Sequence, residues 1–139
     1  ARLGLTESDI EELVRPARAE ISRRLRLYRS EQPGPRLEGR EVILIDDGLA
    51  TGYTMMAAIK SVSREHPRRL VVAVPVSPAS TCAHLRSMVD EVVVLHEAHE
   101  SCFAVSAFYA NFRDLPDEEL VKILHSGIPP SQKSAQSKG

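Results

Sequence analysis

Apolar residues recur at spacings of three and four from Ile10 through Leu13, Val14, Ala17, Ile21 and Leu25 to Tyr28. This stripe predicts a long helix from Thr6 to about Ser30. Ser8, with Glu11 three residues later, has capping-box spacing, and Glu7, Asp9, Glu11 and Glu12 crowd the first turn, where the helix dipole favours carboxylates. Pro16 removes one ladder hydrogen bond and predicts a kink or a split. The Arg-rich second half reads as a solvated face at the C-terminal end of the dipole. Pro and Gly then make 31–40 a loop.

Beyond that loop the pattern changes. Val42–Ile45 is a continuous apolar run ending in Asp46-Asp47, followed by a helical pattern over Thr54–Arg64 with Met55, Ala58, Ile59 and Val62 on one side. A second strand is predicted over Leu70–Val76, closed by Pro75 and Pro78, then a helix over Ser80–Val89 and a third strand over Glu91–Leu95. Apolar strands joined by helices imply an α/β fold with a parallel sheet covered on both faces. Phe103–Phe112 is aromatic-rich and ambiguous between strand and irregular packing. Asp117–Leu124 reads as a last short helix, capped by Asp114 or Asp117. The expected organisation is an N-terminal helix and loop over 1–40, an α/β core over 41–125, and a Ser/Pro/Gln/Lys-rich tail over 126–139 whose composition predicts disorder.

The segment from Val42 to Met55 carries the chemistry. Its apolar run delivers two adjacent carboxylates to the carboxyl end of a strand, where open α/β sheets place their ligands. A turn of Gly48, Leu49, Ala50, Thr51 and Gly52 follows, and a helix begins near Thr54. The free N–H groups of that helix, with the Thr51 and Thr54 hydroxyls, suit a phosphate. Gly52 lets the backbone approach an anion without a Cβ in the way. Beside such a cup, Asp46 and Asp47 can accept from the vicinal hydroxyls of a ribose.

The spelling Asp-Asp-Gly-Leu-Ala-Thr-Gly-Tyr-Thr resembles the signature of type I phosphoribosyltransferases, particularly its adenine-type version. The flanking Arg-Leu-Tyr-Arg, Leu-Glu-Gly-Arg-Glu-Val and Val-Ala-Val-Pro-Val-Ser-Pro-Ala-Ser are similar to a branch of that family without an assigned substrate. The resemblance spans about residues 3–124 and implies a Rossmann-like phosphoribosyltransferase fold. By it, Asp46 and Asp47 would bind the ribose 2′- and 3′-hydroxyls of phosphoribosyl pyrophosphate. Ala50, Thr51, Gly52, Tyr53 and Thr54 would bind its 5′-phosphate, with Gly48 and Leu49 supporting the turn.

The implied reaction displaces pyrophosphate from the phosphorylated ribose by a nitrogenous base. Mg²⁺ would be held mainly by substrate and water, so that no residue need ligate it directly. Phosphoribosyl pyrophosphate or a nucleoside monophosphate is the expected partner. Oxopurine enzymes of the family carry an acid where this chain has Ala50, which disfavours hypoxanthine and guanine. The family builds about five parallel strands and uses an early loop to cradle pyrophosphate; three strands, all after residue 41, are legible here. The absence of an initiator Met before Ala1 and the missing strands imply a chain lacking the N-terminal half, with poor turnover by itself. A non-catalytic module that senses phosphoribosyl pyrophosphate or a nucleotide is the alternative.

Other readings of the paired acids fit less well. A response-regulator receiver needs an acceptor Asp at the end of a later strand, whereas Asp90 precedes one. A Walker B strand would require GxxxxGK[ST], which is absent. His96-Glu97-Ala98-His99-Glu100-Ser101-Cys102 is one residue short of HExxH and falls in an expected loop, so a metal site at His96, His99 and Cys102 stays open beside a polar loop. Phe103 and Tyr109 follow a strand whose end shares an edge with the acid pair, and could approach a planar base.

Charge and composition narrow the classes. Of the 139 residues, 18 are Lys or Arg and 19 Asp or Glu, a net charge of −1, which argues against nucleic-acid or polybasic membrane binding. No apolar run approaches the roughly 18 residues of a membrane span. The two cysteines, Cys82 and Cys102, form no CxxC pair and exclude a disulfide scaffold, which suggests a reducing, cytoplasmic setting. Self-association is left open.

Overall fold

A computed structural model describes residues 4, 6–29, 34–99 and 103–126. The chain divides into two compact units, one formed by 1–34 with 114–139 and the other by 35–113.

In the first unit, α1 spans Glu7–Arg29 as a single helix with Pro16 inside it, so of the two expected outcomes, a kink or a split, the split does not occur. The N-terminus is boxed two positions earlier than the Ser8 spacing suggests. Thr6 Oγ1 accepts from the Asp9 N–H at 3.2 Å, and Asp9 Oδ2 accepts from the Thr6 N–H at 2.8 Å. A capping residue must lie outside the helix, and Thr6 does while Ser8 does not. Three of the arginines of α1 are engaged along its surface, Arg18 with Glu11, and Arg23 and Arg24 with Glu20. Helix α4, Asp117–Ser126, joins α1 through Asp117, whose carboxylate accepts from Tyr28 Oη and Arg23. That carboxylate is therefore occupied by α1 rather than by its own helix end. The predicted tail lies outside the described residues from 127 onward.

The second unit runs β1 (Glu41–Ile45), α2 (Tyr53–Ser63), β2 (Arg69–Pro78), α3 (Ala79–Arg86), β3 (Glu91–Ala98) and a 3₁₀ helix (Val105–Phe108). The sheet is parallel, in the order β1-β2-β3. The α/β fold with a parallel sheet and flanking helices is thus as expected.

Its coverage is not. Strands taken in sequential order by right-handed crossovers put successive helices on one face. Accordingly Met55 and Ile59 of α2 and Leu85 of α3 pack with Leu70, Val72 and Val74 in one core, against which Val42, Leu44, Val92 and Val94 lie. On the opposite parity the flanking strands expose Ile43, Ile45, Val93 and Leu95, while Val71 and Ala73 of the central strand are buried or half-buried. Covering both faces would need a reversal of strand order, which the three strands lack.

Strand lengths also differ from the sequence pattern. β2 continues through Pro75, which lacks an N–H to pair. Pairing with β1 has ended at Ile45↔Ala73, and the register with β3 passes from Val74↔Val94 to Val76↔His96. β3 continues to Ala98 because Ser77 and Pro78 of β2 offer partners to Glu97 and Ala98. His96 and Glu97 therefore lie in a strand, correcting the expected loop. α3 stops at Arg86, where Ser87 Oγ donates to the His84 carbonyl at 2.7 Å. At the opposite end of the sheet Arg69 bridges Glu41 and Glu91 across all three strands. Such exposed pairs contribute at most about 1 kcal/mol each, so the apolar core sets the register.

Candidate functional site

β1 ends at Ile45, and the chain leaves the sheet at Asp46. Asp46 Oδ1 accepts from the Asp47 N–H at 3.0 Å, which fixes the first carboxylate against the turn. Asp46 is half-buried and Asp47 exposed. Leu49 drops into the core, 3% exposed, and its N–H donates to the Val76 carbonyl at 3.0 Å. The turn is thereby pinned to β2 at its middle.

Gly52 takes φ +75°, a left-handed conformation that favours glycine, and its carbonyl accepts from the Met56 N–H at 2.8 Å to open α2. No side chain caps this helix, and its first turn holds no acid. Its first N–H groups are therefore left as donors at the positive end of the dipole. Asp46, Gly48, Leu49, Ala50, Thr51, Gly52, Tyr53 and Thr54 line one depression of about 140 Å³ together with Met55. A carboxylate and a helix N-terminus thus share one small, open concavity, where an anion and a neighbouring hydroxyl donor can be held together.

A second depression of about 260 Å³ adjoins it through Thr51 and Tyr53 and is walled by Ser80, Thr81 and His84. The larger depression of about 450 Å³ lies at the other end of the sheet, beside His66 and Asp90. There Asp90 Oδ2 accepts the Leu70 N–H at 2.7 Å, which gives that carboxylate a structural task.

Asp47 reaches the site differently. Its backbone carbonyl accepts from Tyr109 Oη at 2.6 Å, so the aromatic segment after β3 touches the acid pair. Tyr109 stacks obliquely with Phe112 at 5.3 Å between ring centroids. Phe103 belongs to another group, 5.4 Å from Phe108, which in turn lies 5.1 Å from His96. Of the two aromatic candidates, then, Tyr109 meets the acid pair and Phe103 sits with His96 and Phe108.

Among the described residues no three His, Cys, Asp or Glu side chains converge as a metal set. Cys102 of the His96, His99 and Cys102 trio lies outside the described residues. Glu97 pairs with Arg86, which holds its carboxyl below the usual range.

Two contacts had no signal in the sequence. Thr81 Oγ1 of α3 donates to the Ala50 carbonyl at 3.0 Å, and Val105 of the 3₁₀ helix packs at Gly48. Only the parallel pairing of β2 beside β1 would have suggested that α3 begins near the turn.

No protein-family model matches the chain. It is 35% identical over 105 residues to a protein named "Putative phosphoribosyl transferase" in each of two strains of Mycobacterium tuberculosis. The match takes in 76% of this chain and 24% of each relative, so the chain spans about a quarter of their length. The crystal structure of TT1426 from Thermus thermophilus superposes with a TM-score of 0.74 at 37% identity, covering 88% of this chain and 58% of that one. Over most of its length the chain is similar in sequence to proteins bearing the phosphoribosyl transferase name, and in fold to a solved α/β structure.

Proposed function

We propose that this chain forms the phosphoribosyl-binding part of a phosphoribosyltransferase of the type I class. It would bind phosphoribosyl pyrophosphate, or a nucleoside monophosphate in the reverse direction, and support transfer of the phosphoribosyl group to a nitrogenous base. The observation that carries this reading is the single depression uniting Asp46 with the turn 48–54 and the uncapped start of α2. The similarity to the mycobacterial proteins supports the same class.

In this reading the α2 N–H groups and the Thr51 and Thr54 hydroxyls donate to the 5′-phosphate. Asp46 and Asp47 accept from the ribose hydroxyls and hold the sugar in place. The ring becomes oxocarbenium-like as pyrophosphate leaves, so catalysis rests on positioning and electrostatics rather than on a nucleophilic side chain. Mg²⁺ would be held mainly by the substrate's phosphates and water, which leaves Asp46 and Asp47 to the ribose hydroxyls. When bound, the ion would neutralise the leaving pyrophosphate. Tyr109 and its aromatic neighbours border the Asp47 side, where a planar base would approach.

Calorimetric titration with phosphoribosyl pyrophosphate and Mg²⁺ tests binding. The wild-type chain should bind, and Asp46→Asn/Asp47→Asn should bind at least about tenfold more weakly, having lost charge-assisted hydrogen bonds to the ribose. Absence of binding by wild type, or equal binding by the variant, overturns the reading. A pyrophosphate-release assay across candidate bases then separates an enzyme from a sensor.

A further inference from the structure

The turn between β1 and α2 has little side-chain material with which to hold itself, since three of its positions are Gly48, Ala50 and Gly52. Its backbone is held from outside. Besides the Leu49 N–H bond to β2, two side chains reach it from later in the chain: Thr81 Oγ1 donates to the Ala50 carbonyl at 3.0 Å, and Tyr109 Oη donates to the Asp47 carbonyl at 2.6 Å.

A trans peptide is planar, and its N–H points opposite to its C=O. Fixing the Asp47 carbonyl toward Tyr109 therefore turns the Gly48 N–H the other way. Fixing the Ala50 carbonyl toward Thr81 does the same for the Thr51 N–H. Both Gly48 and Thr51 line the depression. Neither N–H has a backbone acceptor among the described residues.

We propose that Thr81 and Tyr109 are positioning residues that hold the Gly48 and Thr51 N–H groups in their orientation before any ligand arrives. Neither belongs to the strand–turn–helix segment itself. Preset donors cost no reorganisation when an anion binds, which is how oriented backbone dipoles gain strength. The consequence for phosphoribosyl pyrophosphate rests on the function proposed above; the preset orientation of the turn does not.

The test uses the full chain and the variants Thr81→Val, Thr81→Ser, Tyr109→Phe and Thr81→Val/Tyr109→Phe. Backbone ¹⁵N order parameters by NMR, without ligand, should fall from rigid values of about 0.85 to below about 0.6 at Thr51 in Thr81→Val and at Gly48 in Tyr109→Phe, and at both in the double variant, as each donor's hold is lost. Thr81→Ser keeps the hydroxyl and should keep the wild-type order. Titration with phosphoribosyl pyrophosphate should show about fivefold weaker binding for each single loss, the size of one hydrogen bond, and wild-type binding for Thr81→Ser. Wild-type order parameters in Thr81→Val and Tyr109→Phe overturn the proposal whatever the titration shows. If wild type binds no phosphoribosyl pyrophosphate while order still falls as stated, the tethers stand and the ligand assignment falls.

Discussion

A Cβ placed on Gly48 would lie 2.6 Å from Cγ1 of Val105, closer than packed carbons approach, with Val76 Cγ1 at 2.9 Å on another side. Valine is stiff at χ1 and cannot swing its methyls aside cheaply. Gly48 is thus fixed by sterics, where the aromatic segment after β3 closes onto the turn that follows β1. Gly48→Ala should destabilise the chain by about 1–3 kcal/mol, the usual range for overpacking. Urea denaturation measures the loss, and Gly48→Ala/Val105→Ala should recover most of it by opening the space. A double variant no more stable than Gly48→Ala would count against a steric cause.

Gly52 is constrained twice over. Its φ of +75° is left-handed, and a Cβ there would meet Thr81 Cγ2 at 2.7 Å. Left-handed backbone costs a non-glycine residue about 1–2 kcal/mol even in open space. Gly52→Ala should therefore lose stability that Thr81→Ser, which removes Cγ2 and keeps the hydroxyl, restores only in part. The same urea experiment separates the two sites: near-complete rescue at 48, incomplete rescue at 52. Complete rescue at 52 would show that backbone strain contributes little there.

The one-sided core predicts opposite fates for two leucines. Leu85 on α3 is 0% exposed inside the cluster, while Leu95 on β3 is 84% exposed. Leu85→Ala should cost about 2–5 kcal/mol through lost transfer energy and a residual cavity. Leu95→Ala should change stability by less than about 0.5 kcal/mol. A large loss at Leu95 would mean that something covers this face in solution.

What could be read from the sequence follows how local each determinant is. The strand, acid pair, turn and helix over 42–55 were legible because each step depends on residues a few positions apart. Gly52 was legible as open backbone beside an anion, while its left-handed conformation was not. The extension of β3 over His96 and Glu97 was hidden, since it depends on partners in β2 that lie 20 positions earlier. The bare face of Ile43 and Ile45 was hidden too, because apolar strands look alike whether one face or both are covered, and strand order decides which. Tyr109 could be seen as an aromatic near the site, but its bond to the Asp47 carbonyl spans 62 positions and leaves no local trace. Thr6 was displaced by Ser8 because both have an acid three residues later, and only the helix start distinguishes them.

The pairing of α1 with α4 should depend on pH in two directions. Asp117 is held below its usual range, first by the hydrogen bond from Tyr28 and then by Arg23. Tyr28 is pushed up, mainly by the same bond. Glu20 is lowered to about 2 by hydrogen bonds from Arg23 and Arg24. A depressed carboxylate gives stability that is present above its unfolded value of about 4 and lost as pH falls through the lower folded value. The raised phenol gives stability that is complete below about pH 10 and lost as pH rises through the higher folded value. Helicity of α1 and α4, followed by NMR shifts across pH, should hold between about pH 5 and 9 and decline on both sides. Tyr28→Phe should remove the Tyr28 part of the alkaline decline, and Asp117→Asn should blunt the acid one. These groups are exposed, so the changes will be small and weaken with salt. Identical profiles for wild type and both variants would mean that the ion pairs do not hold the two helices together.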